Sequence, residues 1–144
     1  MIRKAEPRDA KTVAKLAVGL WQEHSTEEME AEFVELLADD ACAVFLYEQA
    51  GESVGFAQCG LRHDYVEGTE TSPVGYLEGI YVANAYRNRK IASALLAACE
   101  DWTRQQGCTE FASDCELTNA DSLRFHLATG FTDSHRIICF VRKL

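Results

Sequence analysis

The sequence contains no long apolar run, no paired-cysteine motif and only two prolines among 144 residues. No stretch approaches the roughly 18 consecutive apolar residues that a membrane-spanning helix needs. The six cysteines show no C-x-x-C or other metal-ligand spacing, so we interpret them as small buried apolar residues. The basic residues near the N-terminus precede no apolar segment, which argues against a secretory signal and favours a cytoplasmic location.

The residues that are present fit one ordinary globular domain. Hydrophobic residues make up 47% and charged residues 26%, close to the average for globular proteins. A length of 144 residues lies within the roughly 100–200 residues of a single domain, and no linker or repeat divides it. We therefore expect one domain over residues 1–144.

Basic residues are scarce in one segment of the chain. The whole chain carries a net charge of −9, and residues 22–70 contain thirteen acidic residues and one basic residue. Residues 71–144 contain eight of each. A field of this sign repels nucleic acid and concentrates a cationic ligand. An acidic helix face that only aids solubility would explain the same excess of acidic residues. Composition therefore leaves open both a cationic ligand and a merely solvated surface.

Hydrophobic periodicity predicts an α/β protein with a mixed rather than purely parallel sheet. Polar residues 63–75, with glycine and proline, predict a loop. The predicted strands are 2–6, 43–48, 54–62, 76–84, 110–115 and 136–144; the predicted helices run from Pro7 to Trp21, from Ser25 or Thr26 to Leu37, from Arg89 to Gln106 and from about 118 to 128.

The segment from Tyr76 to Arg104 couples a strand, a basic turn and the start of a helix. In the first turn of a helix the backbone N–H groups lack intrahelical partners and the dipole is positive, which suits a phosphate. The spacing alone also fits a solvated basic turn. The candidates for holding a pyrophosphate are Arg87, Asn88, Arg89, Lys90, Ile91, Ala92 and Ser93.

This segment resembles motif A of the GNAT acetyltransferase superfamily. Tyr81-Val82, followed by Arg87-x-x-x-x-Ala92 at the start of a long helix, is similar to the family turn [R/Q]-x-x-G-x-[G/A]. Lys90 stands where the family has glycine, so this turn must form with a side chain present. The resemblance implies that acetyl-CoA is the cosubstrate.

A second segment resembles motif B of the same family. Asn119 through Gly130-Phe131 matches it, with Ser122 at the small position and His126 in place of a frequent tyrosine. The order of the predicted elements matches the family along the whole chain. The resemblance implies a mixed, mostly antiparallel sheet flanked by helices, with two parallel strands that splay apart.

In this family acetyl-CoA binds where the parallel strands separate, which the resemblance places between 76–83 and 110–115. It implies that Asn119 contacts the CoA arm and that His126 is the candidate acid for the departing thiolate. It also implies that main-chain groups pair with the pantetheine and polarise the thioester carbonyl. Those groups belong to Ile80, Tyr81 and Val82.

Trp21, the acidic loop 63–75 and the segments YLEGIYV and FASDC resemble bacterial aminoglycoside 6′-N-acetyltransferases. This resemblance implies acetyl transfer to the 6′-amino group of an aminoglycoside, directly in a ternary complex, and resistance to that antibiotic. Two alternatives stay open: the same chemistry on a polyamine or a peptide amine, and a CoA-binding regulatory domain without catalysis.

The acceptor amine must lose a proton before it attacks. For an amine of pKa ~10.4 the free base at pH 7 costs about 5 kcal/mol, so a nearby carboxylate is useful. Glu78 and Asp114, on the two splayed strands, are the catalytic candidates, and Asp114 is slightly favoured because it lies nearer its strand end. The other candidates for contacting the aminoglycoside are Trp21, His24, Tyr65 and His135.

The resemblance further implies a homodimer, in which the strand 136–144 pairs across subunits. No metal, nucleic acid or membrane partner is expected from the composition and the motifs.

Overall fold

The computed structural model describes all 144 residues, which form a mixed sheet with helices packed on both faces. No helix is long and apolar enough to cross a membrane. The strands are β1 (Ile2–Lys4), β2 (Cys42–Gln49), β3 (Glu52–Arg62), β4 (Val74–Val82) and β5 (Phe111–Ser113); the helices are α1 (Ala10–Ala17), α2 (Thr26–Leu36), α3 (Ile91–Gln105) and α4 (Ala120–Ala128).

The five strands form one sheet in the order β1-β2-β3-β4-β5. Strands β1 to β4 are antiparallel to their neighbours, and β5 runs parallel to β4. The two-residue turn Ala50-Gly51, with positive φ at both residues, joins β2 to β3 as in tight hairpins. Helix α3 supplies the crossover that the parallel strand β5 needs. The predicted mixed, mostly antiparallel sheet is therefore confirmed.

Two apolar clusters lie on opposite faces of this sheet, because successive strand residues point to opposite sides. One cluster packs against α3, and the other packs against α1 and α2. The first includes Ala57, Leu77, Leu95 and Trp102, and the second includes Phe33, Leu46 and Phe56. The two clusters hold β3 and β4 firmly at the centre of the molecule.

Helix α2 begins at the predicted cap. The Ser25 hydroxyl accepts the N–H of Glu28 at 3.1 Å, and the Glu28 carboxylate accepts the N–H of Ser25. This capping box satisfies two N–H groups that the helix leaves without partners. Met29 and Phe33 are buried, whereas most acidic residues of α2 are exposed, so the helix presents a negative outer face.

Most predicted boundaries agree with the structure within about two residues, but two elements are shorter than predicted. Helix α1 ends well before Trp21. In the intervening turn Gly19 lies against Tyr81, where a Cβ would come within 2.4 Å of the ring. Strand β5 ends one residue before Asp114, because β5 and β4 diverge there.

The prediction of a strand at 136–144 is wrong for the single chain. Residues 132–144, here called the C-terminal arm, contain no helix or strand and make no backbone-to-backbone hydrogen bonds. A strand needs a neighbouring strand to pair with, and no strand of the same chain takes that place. The exposed apolar side chains of the arm are Ile137, Ile138, Phe140, Val141 and Leu144.

Only some of the six cysteines are buried. All six are free, and Cys59, Cys99 and Cys108 lie in the interior. Burial raises the pKa of the Cys108 thiol and so keeps it protonated. The buried apolar interpretation is wrong for Cys115 and Cys139, which are exposed because they lie outside the packed helices and strands.

Candidate active site

A gap opens in the sheet where β4 and β5 separate. Their parallel pairing ends at Leu77 and Ser113. Beyond that point, residues 78–82 of β4 face no strand on their β5 side, and their backbone can pair with an extended ligand there. This edge carries the predicted residues Ile80, Tyr81 and Val82.

The turn before α3 presents a run of free backbone N–H groups. From residue 88 to residue 93 these groups donate to no protein acceptor. Asn88 and Lys90 both adopt the left-handed conformation, with φ of 62° and 61°. Such residues curve the backbone into a concave N–H cluster that favours anions. Lys90 thus occupies the position where the family motif has glycine, as the sequence predicts. Its Cβ makes the left-handed conformation about 1–2 kcal/mol less favourable than the right-handed one.

Two arginines of the same turn lie against aromatic rings. Arg87 donates to the Val82 carbonyl at 3.1 Å, and its guanidinium lies 5.8 Å from the centroid of Tyr81. Arg89 lies 5.4 Å from the centroid of Tyr86. These contacts keep positive charge beside the turn, while the backbone N–H groups stay free to bind the oxygens of an anion.

A groove runs between α3 and the end of α4. Small residues on its walls leave room for an extended ligand. Asn119 caps α4, because its Oδ1 accepts the N–H of Ser122 at 3.1 Å, and its amide nitrogen remains free to donate. The groove is lined by Ser93, Leu96, Ala97, Glu100, Ala128, Thr129 and Gly130.

His126 joins α4 to the end of β5. Its Nδ1 donates to the carbonyl of Ser122 at 2.7 Å, and its Nε2 lies 2.8 Å from the Ser113 hydroxyl. Both ring nitrogens are therefore engaged within the protein. The geometry gives His126 a structural function at the gap, and donation to a thiolate requires that it leave Ser113.

The two candidate carboxylates have different partners. Arg62 of β3 donates to both carboxylate oxygens of Glu78, at 2.9–3.1 Å. The Tyr76 hydroxyl donates to Asp114, which forms no ion pair. The Arg62 guanidinium also lies 3.5 Å from the centroid of the Tyr76 ring. An arginine therefore neutralises Glu78, whereas Asp114 has only a neutral donor.

A bulge in β4 sets the direction of Glu78. The register between β3 and β4 shifts at this residue, so Glu78 is an extra residue with no partner of its own on β3. The indole of Trp21 packs on the next residue, Gly79, where a Cβ would lie 2.7 Å from the ring. The structure thus places Trp21, a predicted wall of the acceptor site, on the residue that follows Glu78.

The other predicted acceptor residues make no hydrogen bond to these carboxylates. Tyr65 is 75% exposed on the loop after β3. His24 pairs with Glu28 at 3.2 Å near the start of α2. His135 pairs with Glu67 at 3.4 Å, which joins the acidic loop to the C-terminal arm. These three residues form no common cluster with the carboxylates.

Sequence reasoning does not select Arg62 and Tyr76, which contact the candidate carboxylates directly. The signal for Arg62 is its isolation, because it is the only lysine or arginine in residues 22–70. The signal for Tyr76 is its place two residues before Glu78 on a predicted strand. Neither signal identifies a partner until the register of β3 and β4 is known.

The similarity of this chain to known proteins extends over the whole site. The model of the acetyltransferase (GNAT) family matches residues 10–131. The chain belongs to this family. The assignment confirms the GNAT resemblance of the two motifs and explains why the same chain carries an N–H-rich turn and a gap between parallel strands.

Curated relatives of this GNAT chain include aminoglycoside N(6′)-acetyltransferases of type 1. The protein from Stenotrophomonas maltophilia is 46% identical over 140 residues, covering 96% of this chain and 90% of that protein. The protein from Serratia marcescens is 43% identical over 129 residues, covering 89% of this chain and 88% of that protein.

Solved structures of similar GNAT proteins match the whole fold. AAC(6′)-Iy in complex with the bisubstrate analogue CoA-S-monomethyl-acetylneamine has a TM-score of 0.94 and 35% identity, covering 100% of this chain and 98% of that chain. The aminoglycoside 6′-N-acetyltransferase AAC(6′)-Ig from Acinetobacter haemolyticus, without ligand, also has a TM-score of 0.94 at 35% identity, covering 100% of this chain and 99% of that chain.

Proposed function

We propose that residues 1–144 form a single domain that transfers acetyl from acetyl-CoA to the 6′-amino group of aminoglycosides and so confers resistance to them. The observation that carries this proposal is that two unlike sites meet at one gap. Residues 88–93 offer free N–H groups to a pyrophosphate, and Glu78 and Asp114 offer carboxylates to a cationic amine. Similarity to aminoglycoside N(6′)-acetyltransferases over most of the chain supports it.

Acetyl transfer is direct in this proposal. The ammonium gives up one proton, and the neutral nitrogen then bonds to the thioester carbonyl carbon. The C–S bond breaks, sulfur leaves as the CoA thiolate, and the nitrogen loses its second proton as the amide forms. One proton goes to solvent and the other ends on sulfur. Because a thiol has a pKa near 8.5, the leaving thiolate needs no dedicated acid.

Asp114 is the proposed base, and Glu78 is the proposed anchor for an ammonium group. The neutral amine costs about 5 kcal/mol at pH 7 if its pKa is ~10.4, so a charged acceptor for the proton is valuable. Asp114 has no cationic partner, since the Tyr76 hydroxyl that donates to it is neutral. Arg62 already balances the charge of Glu78. Asp114 is therefore the better proton acceptor of the two.

Trp21 forms one wall of the proposed acceptor site. Its indole packs on Gly79, the residue after Glu78, and can stack on the apolar face of a sugar ring while it attracts neighbouring ammonium groups. Tyr65, His24 and His135 are proposed for the outer rim, where the acidic loop 63–73 gives the site a negative potential.

The choice of acceptor is tested by thiol release from acetyl-CoA with kanamycin and with spermidine. We expect kcat/KM to be at least about 10²-fold higher for kanamycin, because a linear polyamine has no ring to stack on Trp21. Equal or faster turnover of spermidine or of a peptide amine would contradict the proposed substrate class. CoA binding without turnover of any amine would instead favour a regulatory domain.

We also propose a cytoplasmic location for this enzyme. All six cysteines are free, which fits a compartment where glutathione and thioredoxin keep thiols reduced. Acetyl-CoA, the proposed cosubstrate, is a metabolite of the same compartment. Fractionation of expressing cells tests this location, and recovery of the protein from the periplasm would contradict it.

We further propose a homodimer in which each C-terminal arm pairs with the sheet of the other subunit. The arm makes no backbone-to-backbone hydrogen bonds in its own chain, yet Phe140 and Val141 are 91% and 96% exposed. Exposed apolar residues and unpaired backbone groups favour addition to a sheet edge. The outer edge of β5 is such an edge, since β5 ends the sheet order. Exchange of identical arms gives a closed two-fold dimer.

Light scattering after size-exclusion chromatography tests the dimer. We expect twice the mass of the chain for the wild type and a single chain mass for Phe140→Asp, because a charge at the exchanged strand cannot be buried. Val34→Asp is the matched control, since Val34 is an exposed apolar residue of α2 outside the arm. A monomeric wild type at micromolar concentration contradicts the dimer, and so does a Phe140→Asp variant that stays dimeric.

A further inference from the structure

Arg62 is an isolated basic residue in the most acidic part of the chain. It is the only lysine or arginine in residues 22–70, a segment with thirteen acidic residues. From the end of β3 its guanidinium reaches Glu78 of β4 with both Nε and a terminal nitrogen. A fork of this kind fixes both the position and the plane of a carboxylate. Arg62 therefore holds Glu78 rather than serving the general solubility of the segment.

The same guanidinium covers Tyr76, whose phenol reaches the other carboxylate. Tyr76 is only 6% exposed, and the Arg62 carbon lies 3.5 Å from its ring centroid. Its hydroxyl donates to Oδ2 of Asp114. Burial, and then the hydrogen bond to Asp114, raise the pKa of the Tyr76 phenol, so it remains a proton donor throughout the neutral range.

These contacts connect Asp114, which lies beyond the last paired residue of β5, to the paired strands β3 and β4. Pairing between β4 and β5 ends at Leu77 and Ser113, so no ladder hydrogen bond fixes Asp114 relative to Glu78. Asp114 itself follows the last residue of β5. The side-chain series Glu78, Arg62, Tyr76, Asp114 bridges the end of β3, the middle of β4 and the loop after β5.

We propose that Tyr76 is a positioning residue for Asp114, and that Arg62 locks the Tyr76 ring and Glu78 in the same unit. Tyr76 holds the Asp114 carboxylate at the open end of the gap without neutralising it. This inference rests on the proposed function, in which Asp114 accepts a proton from the aminoglycoside.

The test compares Tyr76→Phe with the wild type in steady-state acetylation of kanamycin. Phenylalanine keeps the ring under Arg62 and removes only the hydroxyl. We expect kcat to fall about tenfold, the effect of losing one hydrogen bond to a charged group, with KM for acetyl-CoA unchanged. Tyr47→Phe is the matched control, because Tyr47 is a partly buried strand tyrosine whose hydroxyl has no hydrogen bond in the protein.

A double-mutant cycle separates positioning from general structure. In an Asp114→Asn background Tyr76→Phe should change kcat less than about twofold, because the group that it positions is already disabled. Equal losses in both backgrounds would overturn the inference, as would a Tyr76→Phe enzyme with wild-type kcat. If Tyr76→Phe does not fold, Arg62→Met is the alternative variant, because it removes the guanidinium that covers the Tyr76 ring. It should lower kcat by a similar factor.

Failure of the proposed function and failure of the positioning by Tyr76 give different results. A wild-type protein that does not acetylate kanamycin contradicts the proposed function. A protein that loses activity with Asp114→Asn but not with Tyr76→Phe or Arg62→Met contradicts only the positioning unit.

Discussion

Replacing Asp114 by asparagine is expected to lower kcat for aminoglycoside acetylation by about 10²- to 10⁴-fold, the range for loss of a general base. Asparagine keeps the size of the side chain and still accepts the Tyr76 hydroxyl, so the gap between β4 and β5 stays intact. KM for acetyl-CoA should not change, because the cosubstrate is bound in the proposal by the turn 87–93 and the groove beside α3. Steady-state kinetics with both substrates varied measures this split.

Glu78→Gln is the informative comparison for the same experiment. As an anchor for an ammonium group, Glu78 should affect KM for the aminoglycoside by about tenfold and kcat much less. Arg62 already neutralises this carboxylate, so its loss removes less proton-accepting capacity than the loss of Asp114. If Glu78→Gln abolishes kcat while Asp114→Asn retains most of it, the two assigned functions are reversed.

Replacing Gly79 by alanine is the second change with a large expected effect. A Cβ at this position would lie 2.7 Å from two atoms of the Trp21 indole and 2.9 Å from Leu20. Either the indole leaves the acceptor site or the bulge that carries Glu78 moves. Displacement of reacting groups by about 1 Å costs on the order of 10²-fold, so we expect kcat/KM for the aminoglycoside to fall by about that factor.

Gly60→Ala is the control for this substitution. Gly60 lies on β3 and has room for a Cβ, with its nearest contact at 3.4 Å from the Ala41 carbonyl oxygen. It should retain activity within about twofold of the wild type, as expected for a site without overpacking. A Gly79→Ala enzyme with the same kcat/KM as Gly60→Ala would show that Trp21 and the bulge do not shape the acceptor site.

Local patterns in the sequence predict the framework of this site. Apolar periodicity locates α2, α3 and the strands of the hairpin, because those elements bury one continuous face each. The turn before α3 is predictable through its resemblance to motif A, because the spacing alone also fits a solvated basic turn. Even the strained position of Lys90 follows from its place in a glycine motif.

Contacts between distant segments limit what the same sequence predicts. The composition of FASDC predicts that Asp114 lies in a strand. In the structure the pairing of β5 with β4 ends at Ser113, one residue before Asp114. The Arg62 contacts depend on the register of β3 and β4 and on the bulge at Glu78, which periodicity does not encode. The segment 136–144 has the composition of a strand but no partner strand in its own chain.

The position of the acetyl group on the product is the most direct test of the proposed acetyl transfer. Kanamycin incubated with the protein and acetyl-CoA can be analysed by NMR for the modified nitrogen. We expect one acetyl group per molecule, on the 6′ nitrogen, with one equivalent of CoA thiol released. Acetylation at a different nitrogen, or release of CoA without an acetylated aminoglycoside, would contradict it.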